Sequence, residues 1–317
     1  MQVIHRRALM MAIAALGSGG AWASPPERAS TGPDTTDTMP LWPGVPPGGG
    51  GPSGPPKVGQ NGALSNIAFP MLEVHRPARP GGGAVLVAAG GGYRQIQMDK
   101  EARPAARWLA ARGITAFILV YRLPGEGWRD GPRAPLQDAQ RALRLIRADA
   151  AGSGRDPARI GVLGFSAGGH LLGLTATRFA FQSHAPIDSA DNVPARPAAA
   201  ALIYPVITLE PPYDHTSTRR RLIGDHPTPR QSAEWSVQTH VAAGDPPFFL
   251  VQAEDDPISS PQNTVIMAEA CARAGVPAEA HLMPSGGHGF GMGRPGTATA
   301  QWPGWYETWL RTQGMLA

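Results

Sequence analysis

Cysteine is almost missing from this sequence: Cys271 is the only one in 317 residues, which excludes an intramolecular disulfide. It falls in the apolar helical pattern Ile266, Ala270, Ala274, the setting of a small core residue rather than a reactive thiol. Lysine is scarce too, with only Lys57 and Lys100, so the 28 basic residues are nearly all arginine. Against 24 acidic residues they leave a formal charge of +4, too small a surplus to predict a nucleic-acid partner. The one basic run, Arg219-Arg220-Arg221, reads as a solvated helix face. No apolar run reaches the roughly eighteen residues that a membrane span needs. His215, His226 and His240 are scattered without metal-ligand spacing, and no metal or organic cofactor is expected.

What is present is enough apolar sequence, 42%, for one large domain with a substantial core. The beginning reads as an export signal over residues 1–23. His5-Arg6-Arg7 is a positive region, Ala8 to Leu16 an apolar one, and Ala21-Trp22-Ala23 a small-residue cleavage site. The Arg6-Arg7 pair is compatible with either the general or the twin-arginine export route. The mature protein is thus expected in the periplasm or outside the cell. Residues 24–56 read as a flexible leader, and from Trp42 to Pro56 proline and glycine are dense enough to exclude helix or strand. Residues 57–317 read as the catalytic domain, with no internal repeat.

Within it, strand-length apolar runs occur at Ala84–Ala88, Ile114–Tyr121, Ile160–Phe165, Ala199–Val206, Phe248–Gln252 and Ala278–Met283. Several lack alternation, as strands buried on both faces do. Between them, Leu136, Ala139, Leu143, Ile146 and Ala150 share one helix face; Glu101–Ala111, Thr264–Ala274 and Trp305–Thr312 also read as helices. Strand and helix in alternation predict an α/β fold with a mostly parallel central sheet and helices on both faces. In such sheets functional groups gather beyond the carboxyl ends of the strands.

There the unusual loops lie. Gly164-Phe165-Ser166-Ala167-Gly168 follows a strand and opens a helical pattern. With 40 glycines in the chain the pentapeptide alone is a weak signal; its strand–turn–helix context makes Ser166 a candidate nucleophile. Gly90-Gly91-Gly92-Tyr93 follows another strand. No Gly-Lys-Ser/Thr completes a phosphate loop, so the amides of Gly91 and Gly92, with that of Ala167, are candidate oxyanion donors. A base and an orienting acid must follow in the order acid, then histidine. His288 stands among glycines in Ser285-Gly286-Gly287-His288-Gly289-Phe290-Gly291. Asp255-Asp256-Pro257 closes a strand, with Asp256 preferred as the acid and Asp255 the second choice. His281 reads as structural within a strand, and His170 as packing or capping.

These motifs together resemble a branch of the α/β-hydrolases, the secreted acetylxylan esterase and feruloyl-esterase-like (esterase/lipase) group. The resemblance runs from about Leu41 to Leu310 and rests on Leu41-Trp42-Pro43-Gly44, Gly90–Tyr93, Tyr121-Arg122-Leu123-Pro124, Gly164–His170, Asp255–Pro257 and Gly286–Phe290. The chain departs from that group's usual pattern at Ala89, at Ser259-Ser260 and at Thr264. The resemblance implies the α/β-hydrolase fold, a triad of Ser166, Asp256 and His288, and removal of ester groups from plant cell-wall polysaccharide.

The expected chemistry is acyl transfer through Ser166 on a small-molecule or polysaccharide ester. A general short-chain carboxylesterase or lipase shares every motif and differs in its acyl pocket. A serine peptidase of this fold usually carries a further large domain, and a non-catalytic binding protein usually lacks a triad member. Residues 204–244 and 123–135 are expected to shape specificity. Tyr93, Trp128 and Trp235 are open to two readings, sugar-stacking surfaces or buried packing.

Overall fold

The computed structural model describes residues 37–150 and 152–316. The export signal and the first part of the leader lie outside the described residues. Among the described residues ten strands form: β1 (Asp37–Pro40), β2 (Lys57–Val58), β3 (Leu64–Ser65), β4 (Met71–His75), β5 (Ala84–Ala88), β6 (Thr115–Val120), β7 (Ile160–Phe165), β8 (Ala200–Ile203), β9 (Phe248–Ala253) and β10 (Ala278–Met283). Eight of them make one sheet in the order β1-β4-β6-β5-β7-β8-β9-β10, and β2 pairs with β3 apart from it. Pairing is antiparallel from β1 through β4 to β6 and parallel across the rest. This is the expected α/β-hydrolase arrangement.

Strands β5 to β9 are buried along their whole length, which is why they read as unbroken apolar runs. The described residues form seven α-helices: α1 (Arg103–Ala110), α2 (Ala134–Ala150), α3 (Ala167–Thr177), α4 (Ser217–Ile223), α5 (Pro229–Glu234), α6 (Gln262–Ala274) and α7 (Trp302–Thr312), of which α1, α2, α3, α6 and α7 pack on the sheet. The α2 stripe Leu136, Ala139, Leu143, Ile146 and Ala150 is buried as expected, as is Cys271, whose thiol burial pushes up to about 12.

Three expectations need correction. The leader does not run flexibly to residue 56. Asp37–Pro40 pairs with β4, Leu41 and Trp42 are buried, and the indole of Trp42 donates to Asp138 Oδ1 at 2.8 Å. The domain therefore reaches back at least to Asp37, because core residues precede the glycine-rich stretch. That stretch forms no helix or strand, as expected, but is fastened by Arg122 Nη1–H to Pro47 O at 2.9 Å and Gly51 N–H to Gly127 O at 3.0 Å.

Second, the helix expected from Glu101 begins as a wider turn over Met98–Ala102, in which Ala102 N–H donates to Gln97 O. Pro104 has no N–H to offer Lys100, so a regular ladder cannot run through. Third, Arg219 does not face solvent. It is buried and donates to the carbonyls of Asp214, Gly224 and Asp225, closing both ends of α4.

Candidate active site

The backbone at Ser166 sets the site. Its φ of 51° and ψ of −117° are strained for a residue with a side chain, and they turn β7 sharply into α3. Two positions to either side of Ser166, space allows only glycine. A Cβ on Gly164 would overlap the Gly168 carbonyl, and one on Gly168 would overlap the carbonyls of Ala88 and Ala89. The turn is pinned by Ser166 N–H donating to Ile203 O at 3.0 Å.

Three loops then converge on the serine. Ser166 Oγ lies 2.8 Å from His288 Nε2, and His288 Nδ1–H donates to Asp256 Oδ2 at 2.7 Å. The Asp256 side chain is fully buried yet well provided with donors. Its Oδ2 also accepts from Gln252 Nε2, and its Oδ1 accepts from the amides of Ile258 and Ser259 at 2.8 and 2.9 Å. Asp255 instead accepts from the amides of Gly286 and Gly287, both at 2.8 Å. Of the two aspartates the sequence left open, Asp256 faces the imidazole, and Asp255 holds the loop that carries it.

The oxyanion candidates lie beside Ser166. Among the described residues, the amides of Gly91, Gly92 and Ala167 donate to no protein acceptor. Gly90 N–H does donate, to Glu101 Oε2 at 2.6 Å. Gly91, Gly92, Ser166 and His288 line a cleft of about 430 Å3 with Arg94, Gln95, Gln97, Lys100, Glu101, Val206, Thr216–Thr218, Ile258 and Gly289. A larger hollow of about 810 Å3, with Arg79, Gly113 and Ile114 in its wall, lies where the chain enters β5 and β6. That is the amino end of the strands, and none of Ser166, Asp256, His288, Gly91 and Gly92 lines it.

Other expectations resolve as follows. His170 is fully buried, its Nδ1 accepting from Tyr93 Oη at 3.0 Å and its Nε2–H donating to Trp235 O at 2.7 Å. Burial holds it down at about 4, so it packs as a neutral ring. Tyr93, Trp128 and Trp235 are buried and absent from the cleft wall, so packing is their role. His281 pairs with Glu279 on β10, outside the site. Of the two segments expected to shape specificity, 204–244 supplies Val206 and Thr216–Thr218; 123–135 supplies nothing to the cleft wall.

Sequence reading missed Glu101 and Tyr204. Glu101 is buried on the same helical face as Met98, Ala102, Ala105 and Leu109, and a carboxyl among those apolar positions was the available signal. Tyr204 follows β8 directly with φ of 38°, its ring edge-on to His288 at 5.0 Å between centroids. Its anomaly is conformational and leaves no trace in the sequence.

Comparison with known proteins bears on family and fold. The BD-FAE family profile matches residues 72–271, a span that includes Ser166 and Asp256 and ends before His288. An acetylxylan esterase of Xylanibacter ruminicola is 30% identical over 237 residues, 73% of this chain and 45% of that protein. Endo-1,4-beta-xylanase B of Butyrivibrio fibrisolvens is 33% identical over 206 residues, 65% of this chain and 32% of that protein. The chain thus spans less than half the length of these two relatives. Among solved structures, an acetyl ester-xyloside bifunctional hydrolase from Caldicellulosiruptor lactoaceticus superposes with a TM-score of 0.74 at 32% identity. That superposition covers 89% of this chain and 98% of that one. With the profile spanning more than half of its length, the chain belongs to the BD-FAE family, on an α/β-hydrolase fold shared with ester hydrolases.

Proposed function

We propose that the chain is an exported serine carboxylic-ester hydrolase that deacetylates plant cell-wall polysaccharide through an acyl-enzyme. The observation that carries this reading is the hydrogen-bonded series Ser166, His288, Asp256, opening on a cleft beside three unengaged amides. Ser166 Oγ attacks the ester carbonyl as its proton passes to His288 Nε2. Asp256 keeps the other imidazole proton on Nδ1 and stabilises the imidazolium. The carbonyl oxygen, now negative, receives hydrogen bonds from Gly91, Gly92 and Ala167, each contributing about 3 kcal/mol to lowering the barrier. His288 then gives its proton to the departing alcohol. Water, deprotonated by the same imidazole, releases the acid and restores Ser166.

The cleft wall supports a small acyl group on a hydroxyl-rich alcohol. Gln95, Gln97, Thr216, Ser217 and Thr218 outnumber the apolar Val206 and Ile258, a poor lining for a long acyl chain. The acetylxylan and acetyl ester-xyloside activities in the relatives' names point the same way. Export rests on the segment His5–Ala23, and no helix among the described residues is long and apolar enough to cross a membrane.

The test is acetate release from acetylated xylan, run beside p-nitrophenyl acetate, butyrate and octanoate. Acetate from the polymer and preference for the two-carbon ester support the reading. Activity on butyrate or longer esters alone would replace it with a general carboxylesterase. Inertness toward all of them would leave a binding protein on this scaffold.

A further inference from the structure

Two residues outside the proposed triad connect the loops that carry it. Glu101 is buried, and both of its oxygens are engaged. Its Oε2 accepts from the amide of Gly90, at the head of the loop that holds Gly91 and Gly92, at 2.6 Å. Its Oε1 accepts from the Tyr204 hydroxyl at 3.0 Å. That hydroxyl oxygen in turn accepts from the amide of Gly291 at 3.1 Å, on the loop that carries His288. The oxyanion loop and the histidine loop are therefore joined through one carboxyl and one phenol, at the wall of the cleft that Glu101 lines.

The connection lies close to the chemistry. A Cβ on Gly90 would stand 2.7 Å from the Ser166 Cβ, so the Gly90 peptide abuts the nucleophile. The Tyr204 ring meets His288 at 5.0 Å and Phe290 at 4.4 Å, both edge-on. Tyr204 also holds φ of 38°, a conformation costly for a bulky side chain, retained here with its hydroxyl anchored at both neighbours. Burial pushes the Glu101 carboxyl up, while the Gly90 amide, the Tyr204 hydroxyl and the nearby His288 favour its charged form. A buried carboxyl is costly unless it is hydrogen-bonded, and here the donors are the Gly90 amide and the Tyr204 hydroxyl.

We infer that Glu101 is a positioning residue, which with Tyr204 fixes the Gly91 and Gly92 amides and the His288 imidazole relative to each other for the transition state. By engaging the Gly90 amide it orients the peptide planes that follow. By holding Tyr204 it sets the height of the histidine loop. The inference rests on the serine-esterase reading.

Glu101→Gln keeps the shape but offers an amide NH2 to one of two groups that now donate. Tyr204→Phe keeps the ring and removes the hydroxyl. Each is expected to lower kcat on p-nitrophenyl acetate by about 100-fold, the scale of a small misplacement, with KM within about threefold of wild type. Because the two act in one connection, the double variant should be little slower than either single one. Rates are expressed per reactive serine, counted with a fluorophosphonate, so that misfolded protein does not enter the comparison. A kcat within twofold of wild type in both variants would overturn the inference, whatever their melting temperatures. So would multiplicative losses in the double variant. If the esterase reading itself fails, the wild-type protein is inactive, an outcome distinct from either.

Discussion

Asp255 and Asp256 are neighbours in the chain but hold different parts of the histidine loop: Asp256 Oδ2 accepts from the His288 ring at 2.7 Å, and Asp255 Oδ1 accepts from the amides of Gly286 and Gly287 at 2.8 Å. One aspartate orients the imidazole and the other the backbone that delivers it. Asp256→Asn should therefore lower kcat by about 10^4-fold, as loss of an orienting carboxylate does in a serine triad. Asp255→Ala should cost about tenfold, through a loosened loop. Steady-state kinetics of both variants check this, and a larger loss at Asp255 would reverse the assignment.

Gly168 is confined by the carbonyls of Ala88 and Ala89, against which any Cβ would collide. Gly168→Ala should destabilise the protein by about 1–3 kcal/mol through overpacking. It should also slow esterolysis in whatever folded fraction remains, since the overlap displaces Ala167 and Ser166. Urea unfolding, with kcat per reactive serine, measures both effects.

His170 gives stability a pH dependence of definite sign. Its folded value of about 4 lies below the unfolded histidine value of about 6.5, because burial disfavours the imidazolium. The neutral ring's contribution is thus fully present above about pH 6.5 and is lost as pH falls toward 4. The loss is on the order of 3 kcal/mol by linkage. His170→Gln should flatten the unfolding free energy across that window; an unchanged slope would show that other groups set it.

Asp138 sits beneath the amino-terminal segment, where its fully buried carboxylate meets the fully buried Arg122 guanidinium at 2.9 Å and also accepts from Trp42. Asp138→Ala leaves a buried cation and an indole N–H without that partner. A loss of about 3–5 kcal/mol is expected in chemical denaturation. Asp138→Ala with Arg122→Met should recover part of it.

Those buried partnerships also explain what the sequence did and did not disclose. Strands β7 and β10 were legible to the residue, since Ile160–Phe165 and Ala278–Met283 are bounded by turn-forming neighbours. Ser166, Asp256 and His288 were legible as candidates because each stands on a short loop just past a strand, flanked by glycine or proline. Strand β4 was not. Its central Glu73 looks like a surface residue but is buried, and its burial, which pushes the carboxyl up, is outweighed by hydrogen bonds from His75 and Arg103 that hold it at about 2. Strand β1 was hidden for a related reason: Asp37–Pro40 has no apolar pattern and owes its form to pairing with β4. The link from Glu101 to Tyr204 spans 103 positions, and only the folded chain brings the two together.

The central claim, that Ser166 is the nucleophile of an esterase, is tested most directly by p-nitrophenyl acetate hydrolysis with wild type and Ser166→Ala side by side, circular dichroism certifying that both are folded. The account predicts turnover by the wild type and a loss of at least about 10^4-fold in the variant at an unchanged fold. Hydrolysis by folded Ser166→Ala within about tenfold of wild type would contradict it.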